Sequence, residues 1–453
     1  MNAQRPGAGQ AMRMANRTRN VSPVAGARMR CDAGGQAGGE AFTTAFHAVN
    51  TEIHYGVRNK VRTRLPIIVG TLGPAEIARQ SWEPFAVGAA ISGLAVVCGE
   101  NVCGLDPELR LDSRGKIEKA PDMARCVEQY RRYHAGYGDM IVQMSVEDLR
   151  LGAPEYAIGR LGIECIEFAW GRDTRWFDDE IHVDSLKRAS ELRRRGYLVT
   201  PDPASPASQA AFRAGVLKGF ERHSRLGFID RDGFLKQVER VRELGAKRVT
   251  LRTGACSTRD LAVAIQWASE AQLDLLTIDG SLGGIGMSPW RVVEEWGAST
   301  FPLQPTIHDL CGKLAARGEF VPDIALVGGF DSAEHVFKVL AAGAPYTKAV
   351  CMDRILTVPD ITGAEIGGWL GEDSDTLPAI VGQLGLTVEE VFACYEDLKA
   401  KYGAETTKKL PLGAIGLYTW SEKMKAGLQR IMACHRARDV ATISRDDLMP
   451  VSS

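Results

Sequence analysis

Charged, polar and glycine residues recur at the ends of short apolar runs in this chain: Gly70-Thr71, Gly99-Glu100, Gln143, Glu167, Arg252, Asp279-Gly280, Gly328-Gly329 and Asp353-Arg354. Each type suggests a chemistry. Arg252 is a fixed cation that could stabilise negative charge developing on a bound ring, such as the N1–C2=O edge of a reduced flavin. Alternatively it forms a structural ion pair with Glu100 or Asp279. Glu100 and Glu167 are the acid–base candidates, or else members of such pairs. The glycine pairs offer backbone N–H groups to a phosphate. Residues 278–290, IDGSLGGIGMSPW, place five glycines or prolines after an apolar run. Glycine there lets backbone approach a ligand closely; the alternative is a tight strand-to-helix turn that binds nothing.

Eight runs must position these residues: PIIVGTL (66–72), LAVVCGE (94–100), DMIVQMS (139–145), CIEFAWG (165–171), RVTLRTG (248–254), LLTIDGS (275–281), DIALVGG (323–329) and KAVCMDR (348–354). They are too short for buried helices and apolar on both faces, as strands covered on both sides should be. Between them lie stretches with helical patterning, such as RDGFLKQVERVREL and SAEHVFKVLAAG, the latter opening on an Asp-Ser cap signal. The repeated alternation predicts an α/β fold, a (β/α)8 TIM barrel whose strand ends converge on one mouth. A doubly wound sheet is the alternative. Residues 1–40, rich in Gly, Ala and Arg, are expected to form a disordered or surface-wrapping arm. The barrel is expected over 41–354, with an insertion at 172–247 over the mouth, and a helical C-terminal extension over 355–453 packed outside it.

The 453 residues are 45% hydrophobic with a formal net charge of −1, enough apolar content for a large core and no electrostatic footprint for nucleic acid. No run approaches the roughly 20 apolar residues of a membrane helix. The ten cysteines are scattered without a CxxC pair, which fits a reduced, cytoplasmic setting.

The order and wording of the runs resemble the FMN-binding synthase domain of glutamate synthase, in particular compact stand-alone members such as the large subunit of N-methylglutamate synthase. RLPIIVGTLGPAEIARQSWEPFAVGAAISG is similar to that family's first strand and helix. VVCGENVCG stands where the family has a Thr-Gly-Glu/Asp-Gly-Gly turn, and Arg252 of RVTLRTG takes the place of a flavin-contacting lysine. IDGSLGGIGMSP resembles the Ser-Gly-His-Asp-Gly-Gly-Thr-Gly-Ala-Ser-Pro signature, and LVGGFDSAEHVFKVLAAGAP the phosphate segment. The resemblance covers roughly residues 60–450. It implies FMN, with Gly70, Thr71, Gln143, Arg252, Gly283, Gly284, Gly328, Gly329 and Arg354 as cofactor contacts.

Departures refine what it implies. Ser281, Leu282 and Ile285 replace the signature's histidine, aspartate and threonine, leaving a more apolar substrate pocket. The family's Gln-Gly-Ala-Lys-Pro-Gly segment is reduced to Trp170-Gly171-Arg172-Asp173, where Arg172 would have to hold a substrate carboxylate. Asp353 falls on the phosphate turn, where it would repel a dianion unless paired, with Arg354 as the expected partner. One cysteine remains where the family has an iron–sulfur run, so no cluster is expected. The chain starts MNAQ, so no glutaminase nucleophile is expected in cis. The expectation is an FMN enzyme acting on an amino acid, imino acid or amine. An electron-donor or amidotransferase partner protein and a homo-oligomeric state are expected alongside it. The alternatives are a redox-neutral lyase, isomerase or C–N bond-forming enzyme on the same barrel, and a non-catalytic barrel subunit of a complex.

Overall fold

The computed structural model describes residues 27–29, 46–72, 75–170, 181–223, 230–254, 257–280, 299–371 and 377–450. Among these, eight parallel strands close into a barrel: β1 (Ile67–Val69), β2 (Ala95–Cys98), β3 (Met140–Met144), β4 (Cys165–Ala169), β5 (Arg248–Gly254), β6 (Leu275–Asp279), β7 (Ile324–Val327) and β8 (Thr347–Met352). Seven lie within the runs expected from sequence, and β8 begins one residue ahead of its run. Closure comes from β8 pairing with β1, Cys351 opposite Ile68 and Met352 opposite Val69. Every residue of β5 is buried, because barrel interior covers one face and the helical ring the other. Helices Ala75–Ser92, Pro121–Arg131, Arg231–Glu243, Thr258–Glu270, Thr300–Ala316, Ala333–Gly343 and Thr357–Gly371 belong to that ring. Several begin at a side-chain cap: Asp230, Ser257 and Ser332 each accept from a backbone N–H three residues on.

Four additions among the described residues were not foreseen as strands, one of them the short hairpin of Arg110–Leu111 with Ile117–Lys119. Ile53–Tyr55 and Val61–Thr63 form a hairpin across the N-terminal face of the barrel. Its turn donates Gly56 N–H to Asp323 (3.0 Å) and Val57 N–H to Asp274 (2.9 Å), both just before barrel strands. Within the expected insertion, Ile181–Val183, Leu198–Thr200 and Phe220–His223 form a three-stranded antiparallel sheet beside helices Leu186–Arg194 and Pro206–Arg213. This sheet packs through Tyr197, Phe220 and Leu192 on Leu105, in the turn after β2. Its described part therefore sits beside the C-terminal end of the barrel. Ala27–Met29 pairs antiparallel with Leu448–Pro450; most of the expected arm lies outside the described residues.

The C-terminal region is helical, as patterned. Its longest helix, Leu412–Cys434, packs against Ala75–Ser92 and Thr357–Gly371 on the outside of the barrel. Among the described residues no helix is long and apolar enough to cross a membrane.

Candidate active site

Strand alternation turns Arg248, Thr250 and Arg252 of β5 to the same face, and Arg252 reaches the mouth. Its guanidinium is 1% exposed and held by two carboxylates. Nη2 and Nε donate to Asp279 at 2.9 and 3.1 Å, and Nη2 donates to Asp353 at 2.7 Å. Burial alone would favour the neutral form, but Asp279 and Asp353 override it and hold the guanidinium pKa well above its usual value. Glu167 also lies in its field and acts in the same direction. Of the two roles open to Arg252, the ion pair is the one the geometry displays, with Asp353 as an additional partner. Asp353 directly follows β8, on the turn where the resemblance places a phosphate. Its carboxylate lies over the end of β1, where a Cβ on Gly70 would fall 1.6 Å from Asp353 Oδ1. The space beside Gly70 is thus filled by Asp353 rather than left for a ligand. Asp353 bonds to Arg252, and its expected pairing with Arg354 falls outside what is described, because the Arg354 side chain is not among the described residues.

Glu167, at the middle of β4, is also 1% exposed. It accepts from Gln143 Nε2 at 2.7 Å and from Thr250 Oγ1 at 3.4 Å. That bond fixes the Gln143 amide, and the Gln143 carbonyl oxygen is buried with no hydrogen-bond partner. Such an atom costs about 1–3 kcal/mol unless a ligand or water supplies a donor. Glu167 therefore sits as the holder of Gln143, beneath the position an acid–base group would take. Glu100 is half-buried at the end of β2. The next residue, Asn101, has a left-handed backbone (φ 65°), and its N–H donates to Asp148 at 2.8 Å. Asp148 also accepts from Ser145 N–H and Oγ, joining the turns after β2 and β3. Burial pushes the Asp148 carboxyl up to about 6 against the pull of those donors. Asp148 was not singled out from sequence; the Ser-Val-Glu-Asp spacing of a capping box was its signal.

Thr71, Glu100 and Gln143 line a cleft that is continuous with solvent. The cleft runs outward from the mouth between helices Ala75–Ser92 and Pro121–Arg131, past Trp82, Arg79 and Arg125. No sequence motif marked these helix residues. On the other side of the mouth, Gly328 and Gly329 follow β7. A Cβ on Gly328 would strike Thr300 Oγ1 at 1.8 Å, whereas Gly329 (φ 61°) is open, with no atom of the described residues within 4 Å of where its Cβ would lie. Helix Ala333–Gly343 begins just beyond, capped by Ser332. Gly283, Gly284, Ser281, Leu282, Ile285 and Arg172 lie outside the described residues.

No protein-family model matches the sequence, and no curated protein matches it. The resemblance to the glutamate synthase barrel thus rests on its motifs alone. Solved structures with this architecture align at low identity. A flavocytochrome b2 variant with pyruvate bound matches at 10% identity over 94% of this chain and 76% of its own, with a TM-score of 0.50. The recombinant flavin-binding domain of baker's yeast flavocytochrome b2 matches at 12% identity over 94% and 77%, TM-score 0.49. A mandelate oxidase variant carrying an FMN adduct matches at 13% over 95% and 90%, TM-score 0.48. At these identities the likeness is one of fold, the (β/α)8 barrel.

Proposed function

We propose that this chain is an FMN-dependent oxidoreductase of the glutamate synthase-like kind, acting on an amine or amino acid. The observation that carries the proposal is the pairing of an open glycine turn at Gly329 with a buried, unpartnered Gln143 carbonyl in the same barrel mouth. A phosphate needs the first, on a turn leading into a helix N-terminus. The imide N–H of a flavin ring needs the second. The residues present fit the cofactor at these two points. FMN-binding enzymes with this barrel architecture, such as mandelate oxidase, lend support at the level of fold. The amine or amino-acid substrate is what the resemblance to the glutamate synthase barrel implies.

Bound FMN would supply two-electron chemistry, accepting the hydride removed from the carbon next to nitrogen. The chain's own part is to hold and deprotonate. Glu167 holds Gln143, whose carbonyl would accept from the ring imide, and Gly328-Gly329 and Ser332 would offer backbone donors to the phosphate. Glu100, at the cleft edge, accepts the ammonium proton on its carboxylate, freeing the nitrogen lone pair. Arg252 ties β5, β6 and β8 together at the mouth and supplies no unpaired positive charge. That last observation favours a second reading, a redox-neutral enzyme of amines on the same barrel.

An absorption spectrum of the fresh protein, repeated after addition of FMN, tests the cofactor. Flavin bands that co-elute with the protein, and bleach anaerobically with an amine or amino acid but not with the matching 2-hydroxy acid, are the expected result. Failure to acquire flavin absorbance on reconstitution overturns the proposal. Flavin bound but never bleached, with the amine consumed, selects the redox-neutral reading.

A further inference from the structure

The three-stranded sheet of the insertion buries a cation without a counter-charge among the described residues. Its central strand, Phe220–His223, turns Phe220 and Arg222 to the same buried face, with Ile181 and Val199 opposite Arg222 on the neighbouring strands. Arg222 is 2% exposed, and its Nε and Nη1 are buried without a hydrogen-bond partner. The other three buried arginines among the described residues each hold a carboxylate: Arg195 that of Glu191, Arg248 that of Asp139, and Arg252 those of Asp279 and Asp353. Arg222 has the face of the Tyr197 ring instead, 5.3 Å from the guanidinium carbon to the ring centroid. That attraction is weaker than an ion pair, and a guanidinium cannot shed its charge to escape the cost of burial.

The attachment of the sheet to the barrel is slight. Val183, Ala189, Leu192, Tyr197 and Phe220 form an apolar cluster apart from the main core, and its barrel member is Leu105. The remaining described bonds to the turn after β2 are polar. Tyr197 Oη donates to Asn101 Oδ1 at 3.2 Å, Arg195 Nη1 to the Gly104 and Asp106 carbonyls at 2.8 and 2.6 Å, and Arg188 Nη2 to the Leu105 carbonyl at 2.5 Å. Such bonds exchange for water at small net cost. Tyr197 joins the two observations, its hydroxyl on the barrel and its ring beneath the unpaired guanidinium. Leu105 also lines the cleft, so the sheet rests on the cleft's outer wall. We infer that the insertion sheet is a lid on the barrel mouth, and that Arg222 biases it towards opening. Lifting the sheet from the turn after β2 lets water reach the guanidinium and uncovers Leu105; settling it buries the charge again. The inference concerns access to the mouth and stands apart from the identity of the cofactor.

The test is hydrogen exchange of the full chain, followed by mass spectrometry at neutral pH, comparing amides of the three sheet strands with those of β4 and β5. In the wild type the sheet amides are expected to exchange about 100-fold or more faster than the barrel strands, through an opening that leaves the barrel intact. Arg222→Met keeps the length of the side chain and removes its charge, so the closed sheet gains stability. Its sheet amides should exchange about 10-fold or more slowly than the wild type's, with β4 and β5 within about 2-fold. Tyr197→Phe removes the tether to Asn101 and should speed exchange of the sheet about 2- to 10-fold, again without effect on the barrel strands. Sheet amides as slow as those of β4 and β5 overturn the inference, as does an Arg222→Met sheet that exchanges at the wild-type rate or faster. Should β4 and β5 themselves exchange faster in Arg222→Met, the variant has lost its fold and Tyr197→Phe decides: unchanged sheet exchange there rejects the lid.

Discussion

Arg252, Asp279 and Asp353 behave as a set, because a buried guanidinium and its carboxylates depend on one another for tolerance of a dry site. Replacing Arg252 with Met leaves two carboxylates facing each other near Glu167 and is expected to cost about 3–5 kcal/mol. Asp353→Asn leaves a one-to-one pair between Arg252 and Asp279 and should cost less. Combining the two removes much of the repulsion, so the double variant should be more stable than the sum of the singles by at least about 1 kcal/mol. Urea unfolding of the four proteins measures the coupling, and strict additivity would show that Asp353 does not belong to the set. The pair with Asp279 was legible in the sequence, because strands β5 and β6 are neighbours in any version of the fold. The bond to Asp353 was not. It joins residues 101 apart across a closed barrel, and the stagger that brings them together is a property of closure. Spacing along the chain brings only the adjacent Arg354 to mind and is silent about a partner on a strand so far back in sequence.

Secondary-structure elements were legible where their apolar content was continuous and illegible where strands were short and half exposed. Each barrel strand presents several successive buried residues, and eight such runs punctuated by glycine or charge leave little else to build. The hairpin strands Ile53–Tyr55 and Val61–Thr63 and the insertion strand Leu198–Thr200 have three residues each, with exposed side chains among them, too little for a period to emerge. The C-terminal helices were visible as helices, but their contacts were not. Asp360, in helix Thr357–Gly371, is 3% exposed and packs against Gly413 at the start of helix Leu412–Cys434, its Oδ1 without a partner. Burial pushes this carboxyl up to about 7. In the unfolded chain an aspartate loses its proton near pH 4. The stability associated with the neutral form is therefore complete below about pH 4, declines as pH rises towards 7, and is gone above it. Asp360→Asn should match the wild type at pH 4 and exceed it at pH 8, by up to about 4 kcal/mol. Denaturation at the two pH values checks this; a variant less stable at pH 8 would mean that the ionised form has a partner the packing does not reveal.

At the scale of the whole molecule, one strand carries both ends of the barrel. Arg248 and Arg252 lie on the same face of β5, about 13 Å apart at the rise of a strand. Arg248 closes the lower end: it donates to Asp139 at 2.7 and 3.0 Å and to Glu164 at 3.1 Å, beneath the hairpin that Asp274 and Asp323 pin in place. Arg252 closes the upper end, where the glycine turn, Gln143 and the cleft open. Two arginines on one strand thus belong to different functions, and the sequence RVTLRTG cannot distinguish them without strand direction. Direction was available from the β–α order, since in this fold the carboxyl ends of the strands hold the chemistry and the amino ends hold the structure. The division has a measurable consequence. Arg248→Met leaves Asp139 buried without its cation and is expected to cost about 3–5 kcal/mol of stability. The site is a strand's length away and shares no side-chain partner with Arg248, so distant sites should act independently. Affinity for FMN, measured well below the variant's melting temperature, should stay within about 2-fold of the wild type. A larger fall would show that β5 transmits strain from the base to the mouth, and the barrel would then have to be treated as one cooperative frame with no separable ends.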